Sequence, residues 1–164
     1  MNPVSSQYIE HLIGVEFFRG LNEKELRDIL SHAFIQTYEN DAPLFFQGDP
    51  ANAFYVIIEG RVKLTQLNDE GEQIIHHYPG VGEAFGIIAV LRQTDYPVAA
   101  QAVGETKLLM WTEKACKRIL FDHPQLGLNS SQLLSKYIID FQDRIKELST
   151  ERVERRIART LLRI

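Results

Sequence analysis

The sequence predicts an α+β fold that is mainly β, in which a small barrel of short strands is flanked by short helices and followed by a long helix. Three observations predict it. Glycines and polar turn residues interrupt residues 34–111 at short intervals, as in a barrel or sandwich of short strands. A short amphipathic pattern precedes this region, and a longer apolar repeat follows it.

The first predicted helix covers residues 21–30. Apolar residues there recur at helical spacing, with Leu26, Ile29 and Leu30 on one face. Asn22 stands where its side chain can accept a backbone N–H of the first turn. Thr112 is expected to cap a second helix, which runs to about Phe121.

The region between these helices is predicted to be built of strands. Gly48 can adopt the positive φ that a tight corner needs, and Gly60 is expected to let one strand reverse into the next. Residues 68–71 have the composition of a hairpin tip. The predicted strands are Ile35–Tyr38, Phe54–Ile58, Val62–Leu67, Gln73–Tyr78, Val98–Ala102 and Lys107–Trp111.

The long helix that begins near Pro124 carries an apolar seam, a row of residues spaced by four, three, four and three positions. This spacing is typical of a coiled coil. Leu133, Tyr137 and Ile139 add a second apolar face, so the helix is expected to contact both the barrel and another subunit. The sequence therefore predicts a homodimer with the seam as its interface: Leu134, Ile138, Phe141, Ile145 and Leu148.

Size and composition bound the function. A chain of 164 residues favours one domain plus an appendage. No apolar run approaches the roughly 20 residues that a membrane helix needs, so no membrane partner is expected. The first residues have neither a basic region nor an apolar core like that of a secretory signal, which favours the cytoplasm.

Charge and cysteine content narrow the classes of function further. The net charge of −4 argues against non-specific nucleic-acid binding by this chain. The single cysteine, Cys116, rules out an internal disulfide and a four-thiolate zinc or iron-sulfur site, and it is expected to be a buried helix residue. No Ser/His/Asp order and no phosphate-cradling loop is present, so we predict that the chain is not an enzyme.

The stretch from Leu44 to Val62 reads LFFQGDPANAFYVIIEGRV. It resembles the signature of the cyclic-nucleotide-binding jelly roll, the sensor domain of the Crp/Fnr family of bacterial transcription regulators. The mismatch is Phe45, where the family prefers a smaller branched residue. The resemblance implies a double-stranded β-helix or jelly roll over residues 1–122, a dimerisation helix over 123–148, and the start of a truncated winged helix-turn-helix domain over 149–164.

In members of this family that bind cyclic nucleotides, a Gly-Glu pair is followed ten residues after the Glu by an Arg and a hydroxyl residue. The carboxylate accepts the ribose hydroxyl, and the guanidinium pairs with the phosphate. In the best register these positions are Ile87, Pro97 and Val98, all apolar. An unpaired phosphate in a partly desolvated pocket costs several kcal/mol. The resemblance therefore predicts a pocket for another ligand: Gly86, Ile87, Ile88, Arg92, Pro97, Val98 and Tyr137.

A second register stays open. It makes Gly82-Glu83 the ribose site and Arg92-Gln93-Thr94 the phosphate site. This register is the less favourable of the two, because Asp95 and Tyr96 then occupy strand positions that prefer small apolar residues. In this register the chain would be a cyclic-nucleotide sensor.

An apolar pocket resembles the branch of the family that senses gases, redox state or small organic ligands. An iron-sulfur cluster would need four cysteines. A haem would need an axial ligand, and the candidates are His76, His77 and His11. Because His76 and His77 are adjacent on a predicted strand, only one of them is expected to point inward. The sequence leaves the cofactor and the effector unidentified.

The function implied by the resemblance is the effector-sensing and dimerising part of a Crp/Fnr-type transcription regulator. DNA would be contacted through a winged helix-turn-helix domain of which this sequence holds only the first helix. A small molecule or gas in the barrel would reposition the long helix and the DNA-reading domains. The alternative is a stand-alone cyclic-nucleotide-binding signalling module.

Overall fold

The computed structural model of the protein describes residues 6–68, 70–136, 138–139, 142–143 and 146. The chain divides into two compact units, Met1–Ser130 and Ser131–Ile164. The first unit contains the sheet, and the second is helical at each of its described residues. The region predicted to begin a DNA-binding domain, residues 149–164, lies outside the described residues. No helix in the described part of the chain has the length and apolar character needed to span a membrane.

Five α-helices are defined within the described residues: α1 (Ile9–Ile13), α2 (Glu23–Ser31), α3 (Ile87–Arg92), α4 (Glu113–Asp122) and α5 (residues 124–136). The two helices predicted from capping signals are confirmed. Asn22 Oδ1 accepts the Glu25 N–H at 3.0 Å, and Glu25 returns the bond to the Asn22 N–H at 2.7 Å, which completes a capping box. Thr112 Oγ1 accepts the Ala115 N–H at the start of α4.

The strands form one six-stranded sheet in which every pairing is antiparallel. The order β1-β6-β3-β4 is completed by β2, which pairs with β6, and by β5, which pairs with β3. This arrangement with its flanking helices confirms the predicted roll. The strands are β1 (Phe34–Tyr38), β2 (Pro43–Phe45), β3 (Ala53–Leu67), β4 (Gln73–His77), β5 (Ala84–Phe85) and β6 (Ala99–Thr112).

The prediction that Gly60 reverses the chain is wrong. Gly60 has a φ of +81°, but β3 continues past it and stays paired with β6 on both sides. The register shifts around this glycine mark a bend, which lets one strand serve both halves of the roll. Two pairs of predicted strands are therefore single strands: β3 joins Phe54–Ile58 to Val62–Leu67, and β6 joins Val98–Ala102 to Lys107–Trp111.

The core of the first unit lies where α2 meets the ends of β3 and β6. Trp111 is fully buried and stacks on Phe54 with ring centroids 5.0 Å apart. Its indole N–H donates to the Ile29 carbonyl at 2.9 Å, so this large side chain is buried without an unpaired polar group. Cys116 is buried as predicted, and burial raises the pKa of its thiol to about 12, so the thiol stays protonated at neutral pH.

Candidate functional site

Gly86 allows the loop predicted to hold the ligand to pack closely against β3. This residue precedes α3 with a φ of +78°, a conformation that favours glycine. A Cβ at this position would lie 3.3 Å from the Ala53 carbonyl oxygen and 3.3 Å from the Tyr96 ring. Glycine is therefore needed both for the turn and for the close approach of the loop to β3.

The side chains predicted to line the pocket differ in burial. Ile87 is buried and Ile88 is half-buried, both in the first turn of α3. Val98 is half-buried and Pro97 is exposed. Arg92 is exposed at the last position of α3. Tyr137, the remaining predicted pocket residue, lies outside the described residues.

Four aromatic rings fill the space beside this loop, and sequence reasoning missed them as a group. Phe45 stacks on Tyr96 with ring centroids 3.7 Å apart, and Tyr55 stacks on Phe85 at 5.1 Å. Phe45 also lies 5.9 Å from Tyr55, which joins the two pairs into one aromatic cluster. All four residues are buried. The available signal was the family mismatch at Phe45, because the larger ring occupies space that a smaller branched residue would leave open.

Tyr96 also ties the loop to the sheet by hydrogen bonds. Its hydroxyl donates to the Ala53 carbonyl and accepts the Ala53 N–H at 3.1 Å. Desolvation in the cluster raises the pKa of Tyr96, although the hydrogen bond to Ala53 acts in the opposite direction. Desolvation also raises the pKa of Tyr55, and the neighbouring Tyr96 adds to that shift. Both phenols are therefore uncharged at neutral pH.

The second register assigns the ribose to Glu83, whose carboxylate is already engaged. Glu83 Oε2 accepts the Gly80 N–H at 2.8 Å, and Glu83 Oε1 lies 3.2 Å from His77 Nε2. The hydrogen bond from Gly80 is the main cause of a lowered Glu83 pKa, and His77 contributes further. A ribose hydroxyl would have to compete with these two partners.

The histidines proposed as haem ligands are on β4 and α1. His76 Nε2 lies 2.6 Å from Gln66 Oε1, and His77 is paired with Glu83. The prediction that His76 and His77 face opposite sides assumed regular alternation along the strand. A register shift interrupts that alternation here, because His76 is the extra residue of a β-bulge between the paired residues Ile75 and His77. His11 is half-buried, with its ring centroid 6.1 Å from that of Tyr8. No cluster of three or more His, Cys, Asp or Glu suited to a metal occurs in the part of the chain described.

The predicted dimer seam is only partly described. Leu134 is half-buried and Ile138 is exposed at 55% of its surface. Phe141, Ile145 and Leu148 lie outside the described residues. The described part of the seam thus includes a large apolar side chain that its own chain leaves uncovered.

Comparison with known proteins identifies the class. The family model of the cyclic nucleotide-binding domain matches residues 35–123, more than half of the 164 residues. The chain belongs to the cyclic nucleotide-binding domain family, a family of regulatory domains.

Regulators of the Crp/Fnr family are among the relatives. The cyclic AMP receptor protein of Thermus thermophilus is 28% identical over 151 residues, which cover 92% of this chain and 70% of that protein. The crystal structure of the Thermus thermophilus catabolite activator protein has a TM-score of 0.78 and 27% identity, covering 82% of this chain and 63% of that one.

The chain also resembles a sensor domain over nearly its whole length. The crystal structure of the sensor domain of the transcriptional regulator DNR from Pseudomonas aeruginosa has a TM-score of 0.71 and 30% identity. The match covers 86% of this chain and 93% of that domain, whereas the chain spans only 63% of the Thermus catabolite activator structure. This chain is therefore a cyclic nucleotide-binding domain that resembles the sensor domains of Crp/Fnr regulators.

Proposed function

We propose that the chain is the effector-sensing and dimerising part of a Crp/Fnr-type transcription regulator, and that its effector is not cyclic AMP. The observation that carries this proposal is the chemistry of three positions, Ile87, Pro97 and Val98, where cyclic-nucleotide binders have a carboxylate, a guanidinium and a hydroxyl. A phosphate at this loop would lose hydration without gaining a cation.

The aromatic cluster supports the same proposal. Phe45 and Tyr96 occupy the space beside the loop, and their ring centroids are only 3.7 Å apart. A bulky, charged ribose phosphate would have to displace these buried rings. A small apolar molecule or a gas could instead bind among them with little desolvation cost. Because Tyr96 is hydrogen-bonded to Ala53, a ligand that moves this ring would act directly on β3.

Haem is the alternative carrier of a gas signal. His76 or His77 would have to give up its present Nε2 contact, with Gln66 or Glu83, to bind iron through that atom. Titration with haemin tests this alternative. A sharp Soret band that is lost in His77→Ala or His76→Ala would support haem, and its absence from the wild type favours direct binding of the effector.

Dimerisation is proposed through the seam of the long helix. Ile138 and its neighbour Ile139 are exposed at 55% and 56% in the single chain, and the heptad spacing continues through Phe141, Ile145 and Leu148. DNA would be bound by a winged helix-turn-helix domain, whose first helix the resemblance assigns to residues 149–164. The effector would then alter the relative positions of the two DNA-reading domains.

Native mass spectrometry of the purified protein tests both parts of the proposal. We expect a species of twice the 18.9 kDa chain mass, with any retained effector visible as added mass. A monomer at micromolar concentration would contradict the dimer. Added mass that matches a cyclic nucleotide would contradict the assignment of the effector.

A further inference from the structure

The strand register separates two faces of the half of the sheet formed by β2, β6, β3 and β4. Residues paired across antiparallel strands share a face. Val62 pairs with Ala102 and Leu64 with Ala100, and this side, which we call the inner face, forms part of the core. The next pair, Thr65 with Ala99, therefore points to the opposite side, which we call the outer face.

A groove lies on the outer face. Its cavity volume is about 390 Å³, within the range of small-molecule sites. Its lining includes Thr65, Leu67, Gln73 and Gln101, and the register places these side chains on the outer face. None of the described residues predicted for the ligand pocket lines it. Phe45 of the aromatic cluster borders the groove from the inner face, but these outer-face side chains belong neither to the cluster nor to the loop before α3.

Three glutamine side chains give the groove a polar lining with spare hydrogen-bonding capacity. Gln47 Oε1 accepts the Leu67 N–H at 2.7 Å, which leaves its amide N–H₂ as a donor. Gln73 Nε2 donates to Thr65 Oγ1 at 3.1 Å, and Gln101 Nε2 donates to the Asp41 carbonyl at 2.9 Å. The carbonyl oxygens of Gln73 and Gln101 make no hydrogen bond within the described part of the chain. One amide donor and two amide acceptors therefore line the same groove.

The apolar lining favours a flat ring. Phe46 is exposed at 61% and Leu67 at 54%, and both border the groove. An exposed aromatic ring offers a stacking surface for another ring. Among the described residues that line the groove, only Asp41 carries a charge. An anionic ligand would find no cation here, and it would be repelled by this carboxylate.

We propose that the outer groove is a second ligand site, which takes an uncharged flat heterocycle carrying a carboxamide or lactam group. The ring stacks on Phe46, while the ligand amide exchanges hydrogen bonds with the amides of Gln47, Gln73 and Gln101. The proposal does not depend on the effector proposed above, because its polar contacts come from Gln47, Gln73 and Gln101, none of which belongs to the loop before α3 or to the aromatic cluster.

Nicotinamide and nicotinate provide a matched pair of probes, since they share a ring and differ in charge and in the amide donor. We expect nicotinamide, added to the ¹⁵N-labelled protein, to shift the side-chain amide signals of Gln47, Gln73 and Gln101. Nicotinate should bind at least about tenfold more weakly. Cyclic AMP, also an anion, should not displace nicotinamide. Uracil, a neutral lactam, serves as a second probe of the same class.

Variants of two groove residues, with a control on the opposite face of β4, complete the test. Gln73→Ala and Phe46→Ala change exposed side chains, and each should weaken nicotinamide binding about tenfold while the remaining backbone spectrum keeps the folded pattern. Ile74→Ala, the neighbour on the inner face, should leave the affinity unchanged. Absence of shifts in the three glutamine amides with both nicotinamide and uracil overturns the proposal. Equal binding by Gln73→Ala, Phe46→Ala and the wild type overturns it as well.

Discussion

Gly60 and Gly104 both have a positive φ, +81° and +73°, but only Gly60 is crowded. A Cβ at Gly60 would lie 2.5 Å from the Glu105 carbonyl oxygen and 2.7 Å from Thr106 Oγ1, whereas a Cβ at Gly104 would have no atom within 4 Å. The bend in β3 thus needs glycine for space as well as for its dihedral angle.

We therefore expect Gly60→Ala to lower the free energy of unfolding by about 3 kcal/mol. Gly104→Ala, which has the dihedral cost alone, should lower it by about 1 kcal/mol. Urea unfolding followed by circular dichroism measures both. Equal losses in the two variants would show that close approach at the β3 bend contributes nothing.

The buried phenol of Tyr55 makes a pH-dependent contribution to stability. Desolvation raises its pKa in the folded protein, followed by the effect of Tyr96, whereas an unfolded tyrosine has a pKa of about 10. Above that pH the unfolded chain loses a proton that the folded chain retains, so the free energy of unfolding falls as pH rises.

Replacing Tyr55 by Phe removes this titration. We expect the free energy of unfolding of Tyr55→Phe to decline less steeply between about pH 10 and pH 11, by up to about 1.4 kcal/mol per pH unit. The free energy of unfolding of each protein at pH 7 serves as the baseline for its own decline. Parallel declines in the wild type and Tyr55→Phe would contradict a perturbed phenol.

At the scale of single elements, the helices were easier to predict than the strands. The start of α2 depends on Asn22 and Glu25, which lie three positions apart, so local sequence is sufficient to predict it. The course of β3 depends on its long-range pairing with β6. A positive φ at Gly60 suits either a reversal or a bend, and only the partner strand decides between them.

The long helix offers the sharpest test at this scale. Ile138 belongs to the predicted seam, and Ile139 is an adjacent isoleucine of nearly equal exposure, 55% against 56%, outside the seam. We expect Ile138→Asp to yield monomers in light scattering, because it introduces a charge into the interface. Ile139→Asp should remain dimeric. A dimeric Ile138→Asp protein would exclude this seam as the interface.

At the scale of the whole molecule, the resemblance from Leu44 to Val62 predicted the roll correctly, because the residues of that stretch match the family signature in spacing as well as in type, even though Gly60 is a bend and not a reversal. The contents of the candidate site were harder to predict. Phe45 is near the start of the sheet and Tyr96 lies far along the chain, yet their rings stack in the folded molecule. The outer groove likewise combines residues from four strands or their flanking turns, and no local pattern indicates it.

The central claim is that the three apolar positions Ile87, Pro97 and Val98 prevent this member of the cyclic nucleotide-binding family from binding cyclic AMP. Isothermal titration calorimetry with cyclic AMP tests it most directly. We expect no binding at micromolar concentrations, and no change in Arg92→Ala or in the control Arg118→Ala on α4. Submicromolar binding that Arg92→Ala abolishes and Arg118→Ala preserves would contradict the claim and establish the register with Glu83 and Arg92 as the nucleotide site.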